Sequence, residues 1–285
     1  MTYTVTENEI FLPHRKPDSH KGDFGKAAII GGSLGFSGAP YMAARSASRM
    51  GAGLTRLYVP MSIYDFTASR CTEIMPIPVT CDEEGLISWN AREELLSALD
   101  WATSALIGPG LGQSYHMRYI LELIIQNAKI PLVLDADGIN AICENIDILK
   151  EASCPVILTP HPGEFRRLGG DVTGDRVTDA VAFAQKYNCI LVLKGHGTVT
   201  ALPNGGAYIN TTGGPELAKG GSGDILAGMI VSLLAQGFDA KTSAVTAVYL
   251  HGKCGDLCRE KLGEYSVIAD DVIGAIPEAV KSVLR

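Results

Sequence analysis

Short apolar runs alternate along the chain with segments of helical pattern. The runs are apolar at successive positions rather than at every second one, which is typical of strands in a parallel sheet covered on both faces. Most of them end in Gly, Asp, His or Lys, and one carries two prolines, which suit an edge strand. They read KAAIIGG (26–32), LTRLYVP (54–60), EIMPIPV (73–79), ALIGPGLG (105–112), PLVLDADG (131–138), PVILTPHPGE (155–164) and CILVLKG (189–195).

The intervening segments predict helices, and the pattern changes after residue 195. There an Asn-Gly pair between TVTALP and GAYINTTG predicts a β-hairpin. Helices are predicted at 37–53, 114–128, 179–187, 223–236, 239–262 and 269–284. The strand–helix alternation indicates an α/β fold of three layers, with a mostly parallel central sheet between helices. No repeat or linker interrupts residues 1–285, so we expect a single domain.

The composition of the chain disfavours some kinds of binding partner and indicates the cellular compartment. With 24 Lys and Arg against 31 Asp and Glu, the formal charge of −7 disfavours a nucleic-acid partner. The N-terminus lacks the pattern of a secretory signal, and no apolar run is long enough to span a membrane, so we expect a cytoplasmic protein. The seven cysteines are scattered, which predicts free thiols. Cys254, Cys258 and His251 lack the spacing of known metal sites.

Unusual residues collect at the predicted strand ends, where ligands bind in doubly wound sheets. They are Gly31–Ser33, Gly108–Gly112, Asp135, Asp137, Thr159–Glu164, Lys194–Gly195 and Lys219–Asp224.

The last of these stretches, KGGSGD, stands directly before an apolar helix. Its glycines allow backbone N–H groups to converge at the positive end of that helix, which predicts an anion site. Asp224 then has two interpretations. It is the helix N-cap, or it is the carboxylate that accepts the proton of a hydroxyl during phosphoryl transfer.

The other polar residues also leave alternatives open. Lys194 is either a solvated lysine or the start of a nucleotide-binding loop, and His161 is expected to contact a ligand. Asp135 and Asp137 are expected on the same side of an extended segment, as turn-forming acids or as carboxylates near a metal. Glu164 is an acid of the following turn or orients water bound to Mg²⁺.

Six motifs in this order resemble the ADP/ATP-dependent NAD(P)H-hydrate dehydratases, the carbohydrate-kinase-type domain of the YjeF group in the ribokinase-like superfamily. They are HKGDFGKAAIIGGSLGFSGAPYMAARSASRMGAG, GPGLG, LDADGINAI, LTPHPGEFRRL, VLKGHGTV and GGPELAKGGSGDILAG, and they span about residues 20–275. The resemblance implies a ribokinase-like fold and a repair reaction. In that reaction ADP or ATP, assisted by Mg²⁺, phosphorylates the C6 hydroxyl of hydrated NADH or NADPH, and phosphate then leaves. It also implies a homotetramer and no fused epimerase domain.

The resemblance assigns roles position by position. Asp224 matches the base and a substrate contact. The residues that match the anion hole are Gly220, Gly221, Ser222 and Gly223. Those that match the nucleotide-binding positions are Lys194, Gly195, His196, Gly197, Thr198 and Gly223. Those that match the lining of the hydrated-substrate site are Ala39, Gly110 or Gly112, and His161.

Two other functions compete with this one. A small-molecule kinase of the same superfamily, acting on a hydroxymethyl or hydroxyethyl heterocycle, would share the anion hole and the aspartate. A nucleotide-sensing protein without turnover would bind the same ligand but would lack the acidic base, which is present here. The sequence leaves open ADP against ATP, and NADH against NADPH as the parent of the substrate.

Overall fold

A mostly parallel β-sheet forms the centre of the computed structural model, which describes residues 1–170 and 173–285. In these residues the sheet has ten strands in the order β1-β10-β9-β8-β7-β6-β5-β2-β3-β4. The strands are β1 (Thr2–Val5), β2 (Lys26–Ile30), β3 (Leu54–Pro60), β4 (Met75–Val79), β5 (Ser104–Ile107), β6 (Leu132–Leu134), β7 (Val156–Leu158), β8 (Ile190–Leu193), β9 (Val199–Ala201) and β10 (Ala207–Asn210). Only β9 runs antiparallel to its neighbours β8 and β10 within this described sheet.

Helices cover both faces of this sheet. On one face lie α1 (Gly38–Arg49), α2 (Met61–Arg70), α8 (Ser222–Ala235), α9 (Ala240–Leu262) and α10 (Ala269–Ser282). On the other lie α3 (Arg92–Trp101), α4 (Tyr115–Asn127), α5 (Asp137–Ile142), α6 (Pro162–Arg167) and α7 (Arg176–Tyr187). The predicted three-layer α/β/α architecture is confirmed.

Successive side chains of each central strand enter different hydrophobic cores. In β2, Ala27 and Ile29 pack with the α8 layer, whereas Ala28 and Ile30 pack with the α4 layer. All four are fully buried. This two-sided burial explains why the strands read as continuous apolar runs rather than as alternating ones.

The predicted strands and helices lie close to their expected positions. EIMPIPV forms the edge strand β4, where its prolines cost no ladder hydrogen bond on the open side. The Asn-Gly hairpin joins β9 to β10. The pattern did not predict β1, which is a short, polar strand at the other edge. It also did not predict α2 and α3, although α3 buries Leu95, Ala98 and Leu99 at helical spacing.

The chain reverses its direction of travel across the sheet at β2, which pairs with β3 on one side and β5 on the other. Loops leaving β2 and β5 at their carboxyl ends therefore diverge and leave a crevice between them, as at other topological switch points. Within the described residues, no helix combines the length and the hydropathy required to cross a membrane.

Candidate active site

Three adjacent strand ends hold a partly buried lysine between two carboxylates. Lys194, just after β8, donates a hydrogen bond from Nζ to Asp135 Oδ1 at 2.9 Å. Its Nζ also lies 3.8 Å from Glu164 Oε2. Thr159 Oγ1 donates to the same Asp135 oxygen at 2.7 Å. Lys194 is therefore not a solvated lysine, because its charge is balanced by acids that are themselves almost fully buried.

The glycine turn before α8 faces this lysine. Gly221 is the N-cap and has a φ of +92°, a conformation that costs little only for glycine. A Cβ on Gly221 would lie 2.7 Å from Met42 Sδ, and one on Gly223 would lie 3.1 Å from Lys194 Nζ. The turn therefore lies directly against the Lys194 ammonium at Gly223, where a Cβ would require the lysine to shift slightly.

Asp224 is the third residue of α8, so the interpretation of it as the N-cap is wrong. The helix starts earlier than predicted because Gly221 takes the left-handed conformation. Burial and, after it, the charge of Asp135 together raise the pKa of the half-buried Asp224 carboxyl to about 7, against the opposing effect of Lys194. A carboxyl group with a pKa near neutrality can accept and return a proton at physiological pH.

Residues 194–198 form a tight loop after β8. Gly195 and Gly197 have φ values of +147° and +61°, and Thr198 Oγ1 donates to the Gly195 carbonyl at 2.9 Å. Arg176, on the first turn of α7, donates to three carbonyl oxygens of this segment, those of Leu193, Lys194 and His196, over 2.7–3.1 Å. One guanidinium therefore holds the loop in place.

This loop and the glycine turn line a cavity of about 790 Å³, here called the glycine-lined cavity. Its lining includes all the residues of 194–198, Gly220, Ser222 and Gly223, together with His161. His251 lines the same cavity and lies 3.2 Å from Ser222 Oγ through Nε2. Burial lowers the pKa of His251 to about 4, so its ring is neutral at pH 7.

The loop after β5 forms the other side of the crevice. Gly110 has a φ of +66°, and a Cβ there would lie 3.4 Å from Ala39 Cβ at the start of α1. Ser33, after β2, donates from Oγ to the Gly110 carbonyl at 2.9 Å. Gly112 has a φ of +73° and donates from its backbone N–H to Asp137 Oδ2 at 2.9 Å.

The expectation that Asp135 and Asp137 share one side of an extended segment is wrong. Strand β6 ends at Leu134, and Ala136 has a φ of +48°, so the chain turns between the two acids. Asp135 consequently faces Lys194, whereas Asp137 begins α5 and faces Gly112. The charge of Asp137 also contributes to the raised pKa of Asp224.

His161 is the N-cap of α6. Its Nδ1 accepts a hydrogen bond from Gly163 N at 2.9 Å, which places the proton of the neutral ring on Nε2. Glu164 returns the interaction by accepting from His161 N at 2.8 Å. The exposed imidazole is thereby held at the rim of the glycine-lined cavity.

Few side chains of the site offer oxygen atoms that could bind a metal ion. In the part of the chain that the structure describes, no group of three or more His, Cys, Asp or Glu side chains is arranged to hold a metal. Asp135 and Glu164 are hard oxygen donors that lie around one cation, Lys194. This pair fits Mg²⁺, which typically takes one or two carboxylates and completes its shell with water and phosphates.

Comparison with known proteins shows the family to which the chain belongs. A family model described as NAD(P)H-hydrate dehydratase matches residues 27–278. The chain belongs to the NAD(P)H-hydrate dehydratase family. The resemblance seen in the six motifs is confirmed.

Relatives of two lengths share this family. The ADP-dependent (S)-NAD(P)H-hydrate dehydratase of Bacillus subtilis is 33% identical over 95% of this chain and 94% of its own length. The bifunctional NAD(P)H-hydrate repair enzyme of Moorella thermoacetica is 36% identical over 95% of this chain but only 52% of its own length. The chain thus spans about half the length of the bifunctional relatives that it matches.

A solved structure extends the likeness to the fold. The ADP/ATP-dependent NAD(P)H-hydrate dehydratase of Bacillus subtilis, co-crystallised with ATP and Mg²⁺, has a TM-score of 0.85 and 31% identity, with 98% of both chains covered. The expected ribokinase-like fold is confirmed by this match.

Arg176 and His251 were not predicted as parts of this site. Arg176 lies on a helix that precedes the loop it holds, and His251 was considered only with Cys254 and Cys258 as a metal ligand. Ser33 was among the predicted strand-end residues, although no role was assigned to it.

Proposed function

We propose that this chain dehydrates hydrated NADH or NADPH at the expense of ADP or ATP, and so restores the reduced cofactor. The observation that carries the proposal is the Asp224 carboxyl, whose pKa is raised to about 7, at the start of a helix whose glycine turn faces Lys194. The glycine turn suits the phosphoryl group, and the carboxylate suits the hydroxyl that receives it. Family membership supports the same assignment.

In this mechanism Asp224 accepts the proton of the C6 hydroxyl as that oxygen attacks the terminal phosphorus of the nucleotide. The bond between the bridging oxygen and the terminal phosphorus of the nucleotide breaks, which releases AMP from ADP, or ADP from ATP. The C6–O bond then breaks with loss of phosphate, the ring nitrogen supplies electrons, and loss of a C5 proton restores the C5–C6 double bond. The products are the reduced cofactor, inorganic phosphate and the shortened nucleotide.

The remaining site residues are proposed to bind and orient. Residues 194–198 and Gly223 hold the nucleotide, and the backbone of 220–223 binds the transferring phosphoryl group. Ala39, Gly110, Gly112 and His161 line the space for the damaged ring. Asp135 and Glu164, acting through water, would hold Mg²⁺, which would offset the negative charge of the phosphates.

One assay tests the proposal. Purified protein is mixed with hydrated NADH, Mg²⁺ and either ADP or ATP, and the absorbance of the reduced nicotinamide ring is followed. We expect recovery with at least one nucleotide, with one phosphate released for each ring restored. Absence of recovery with both nucleotides and with both hydrated cofactors would refute the function. Parallel reactions identify the preferred nucleotide and cofactor.

The second candidate is a kinase of small heterocyclic alcohols, because the same turn and aspartate would serve that reaction. It predicts a stable phosphorylated product and no recovery of the reduced ring. Product analysis of the same assay, with hydroxyethyl and hydroxymethyl heterocycles as acceptors, separates the two.

Three finer assignments complete the proposal. We propose that residues 1–285 act as one catalytic domain, that four copies assemble, and that the protein works in the cytoplasm. Light scattering in solution tests the tetramer.

A further inference from the structure

A cavity of about 990 Å³ lies at the edge of the sheet opposite to the proposed active site. Phe24 and Gly51, which line it, stand shortly before β2 and β3, so it lies at the amino ends of these strands. The proposed active site lies at the carboxyl ends. The cavity, here called the amino-edge cavity, shares no lining residue with the glycine-lined cavity. It is therefore separate from the groups that the proposed function uses.

Distant parts of the chain build the walls of this cavity. Residues between 12 and 24 form one wall, and the carboxyl ends of α1, α8 and α10 form the others. Leu12 N donates to the Val283 carbonyl at 2.9 Å, and Gly53 N donates to the Phe24 carbonyl at 2.9 Å. Backbone hydrogen bonds therefore attach the wall formed by residues 12–24 near both of its ends.

Much of the lining is apolar. Met50 and Leu233 are 4% and 1% exposed, and Phe24, Phe238 and Val280 are partly buried beside them. An apolar group that enters the cavity can pack against these side chains and leave water. The lining therefore suits a ligand that has an apolar body.

One guanidinium in the cavity is already held in position. Arg15 Nη2 donates to the Gly51 carbonyl at 2.6 Å and to Gln236 Oε1 at 2.8 Å. Its Cζ lies 3.6 Å from the centroid of the Phe24 ring. Within the described residues, Arg15 has no carboxylate partner, and its Nε and Nη1 make no hydrogen bond. An anion that binds this fixed guanidinium requires little further ordering of the side chain.

The charges of the lining favour an anion, although the whole chain is acidic with a formal charge of −7. Two of the acids in this lining are Asp18 and Asp23, and Asp23 already accepts a hydrogen bond from His20 N at 2.9 Å. Across the described ranges 1–170 and 173–285, the cations of the lining form no ion pair. These cations are Arg15, Lys16, Arg49 and Lys281.

The carboxyl ends of helices carry partial negative charge, which opposes a nearby anion. At α1 this charge is offset within the structure itself. Arg15 donates to the Gly51 carbonyl, and Gln236 Nε2 donates to the Met50 carbonyl at 3.1 Å. Arg49 and Lys281 are then left to attract a ligand.

We propose that the amino-edge cavity binds an anionic amphiphile, a molecule with an apolar chain or ring and one carboxylate or phosphate head group. The apolar body packs against Phe24, Met50 and Leu233. The head group accepts hydrogen bonds from Arg15, and the charges of Arg49 and Lys281 stabilise it. This inference does not rest on the proposed function.

Calorimetric titration with ten-carbon probes tests the proposal. The probes are decanoate and decyl phosphate, with decyltrimethylammonium as the cationic control, all kept below their micelle-forming concentrations. We expect one anionic probe to bind per chain, and the cationic probe to bind at least tenfold more weakly. The preference between decanoate and decyl phosphate identifies the head group. Saturating ADP should leave the affinity unchanged, because the two cavities are separate.

Substitutions locate the binding to this cavity. Arg15→Gln should weaken the anionic probe by about tenfold or more, as expected for loss of a charge-assisted hydrogen bond, and Arg49→Gln by a smaller factor. Arg45→Gln is the matched control, since Arg45 lies on the same helix as Arg49 but does not line the cavity. Thermal unfolding should confirm that each variant is folded.

Because Arg15 also caps α1, a second kind of variant keeps the test independent of folding. Val280→Trp retains every charge and fills part of the apolar lining, so it should also weaken the anionic probe. A Val280→Trp variant that binds as wild type would mean that the probe lies elsewhere.

Other results would also overturn the inference. One is the absence of saturable binding of either anionic probe to the wild type. A second is equal affinity for the anionic and cationic probes, and a third is an Arg15→Gln variant with unchanged affinity. A change of oligomeric state in Arg49→Gln, without probe binding to the wild type, would assign the cavity to an interface between copies. Absence of ADP binding would bear only on the proposed function.

Discussion

The glycine-lined cavity is built from a different part of the chain than a second cavity of about 470 Å³, the α4–α6 cavity, which lies over the first turn of α4, the helix α5 and the end of α6. The first is lined by several glycines, among them Gly195, Gly197, Gly220 and Gly223, and a Cβ on Gly223 would lie 3.1 Å from Lys194 Nζ. The second is lined by side chains, among them Arg118, Arg167 and Tyr115. Backbone N–H groups hold a phosphoryl group at a fixed place, whereas side chains recognise the shape and charge of a particular ligand.

This difference predicts how each cavity responds to substitution. A substitution at a glycine of the glycine-lined cavity displaces the backbone, so it should lower both the turnover and the free energy of unfolding. A change in the α4–α6 cavity removes a side-chain contact and leaves the backbone in place, so it should have a smaller effect on chemistry and on folding. The following experiments test this difference, in order of decreasing expected effect.

Asp224→Asn should produce the largest effect. It removes the proposed base while preserving the size of the side chain, so turnover should fall by about 10²–10⁴-fold. The affinity for ADP, measured by calorimetry, should change little because the glycine turn remains. Turnover within a few-fold of wild type would show that Asp224 is not the base.

Gly221→Ala should damage the backbone of the glycine-lined cavity. The residue has a φ of +92°, and the new Cβ would approach Met42 Sδ, so the free energy of unfolding should fall by about 1–3 kcal/mol. Nucleotide affinity should fall with it. Gly220→Ala is the control for stability, since no heavy atom lies within 4 Å of its Cβ position. Equal denaturant midpoints for the two variants would contradict the argument.

Arg176→Met should separate binding from chemistry. It removes the three hydrogen bonds that hold residues 193–196, so KM for the nucleotide should rise by about tenfold while kcat changes less. Arg176→Lys should recover little, because an ammonium cannot span the same carbonyl groups. Steady-state kinetics with varied ADP measure both constants. A fall in kcat alone would show that Arg176 does not act through nucleotide binding.

The difference in stability between the wild type and Asp224→Asn should depend on pH in the nucleotide-free and Mg²⁺-free protein. The folded-state pKa of Asp224 is raised from 3.8 to about 7, so the folded wild type binds this proton more tightly than the unfolded chain. Wild-type stability should therefore fall as the pH rises from about 4 to 7, relative to the variant.

At pH 8 the variant should then be the more stable protein, by on the order of 1 kcal/mol after allowance for partial exposure. Below pH 4 the difference should disappear. Thermal unfolding across this range measures it. A stability difference that is the same at all pH values would mean that burial does not raise the pKa of this carboxyl.

Much of the site could be predicted because its parts follow strands directly. Lys194, His161 and the glycine turn each stand where an apolar run ends or a helix begins, and parallel strands bring such ends together. The local geometry could not be predicted. The turn at Ala136 separates Asp135 from Asp137, and the left-handed Gly221 moves the helix start upstream of Asp224. In each case the φ of one residue determines where the neighbouring carboxylate lies.

The sequence alone determined the α/β class, the edge at which the site lies and the residue types available there, because apolar periodicity and strand-end composition are local properties. Only the tertiary structure decided which of these residues meet. Lys194 donates to Asp135, which also accepts a hydrogen bond from Thr159, and both partners follow other strands. Arg176, from a helix, holds the 194–198 loop. Such contacts join residues that are distant along the chain, and their energies depend on burial, which no local pattern specifies.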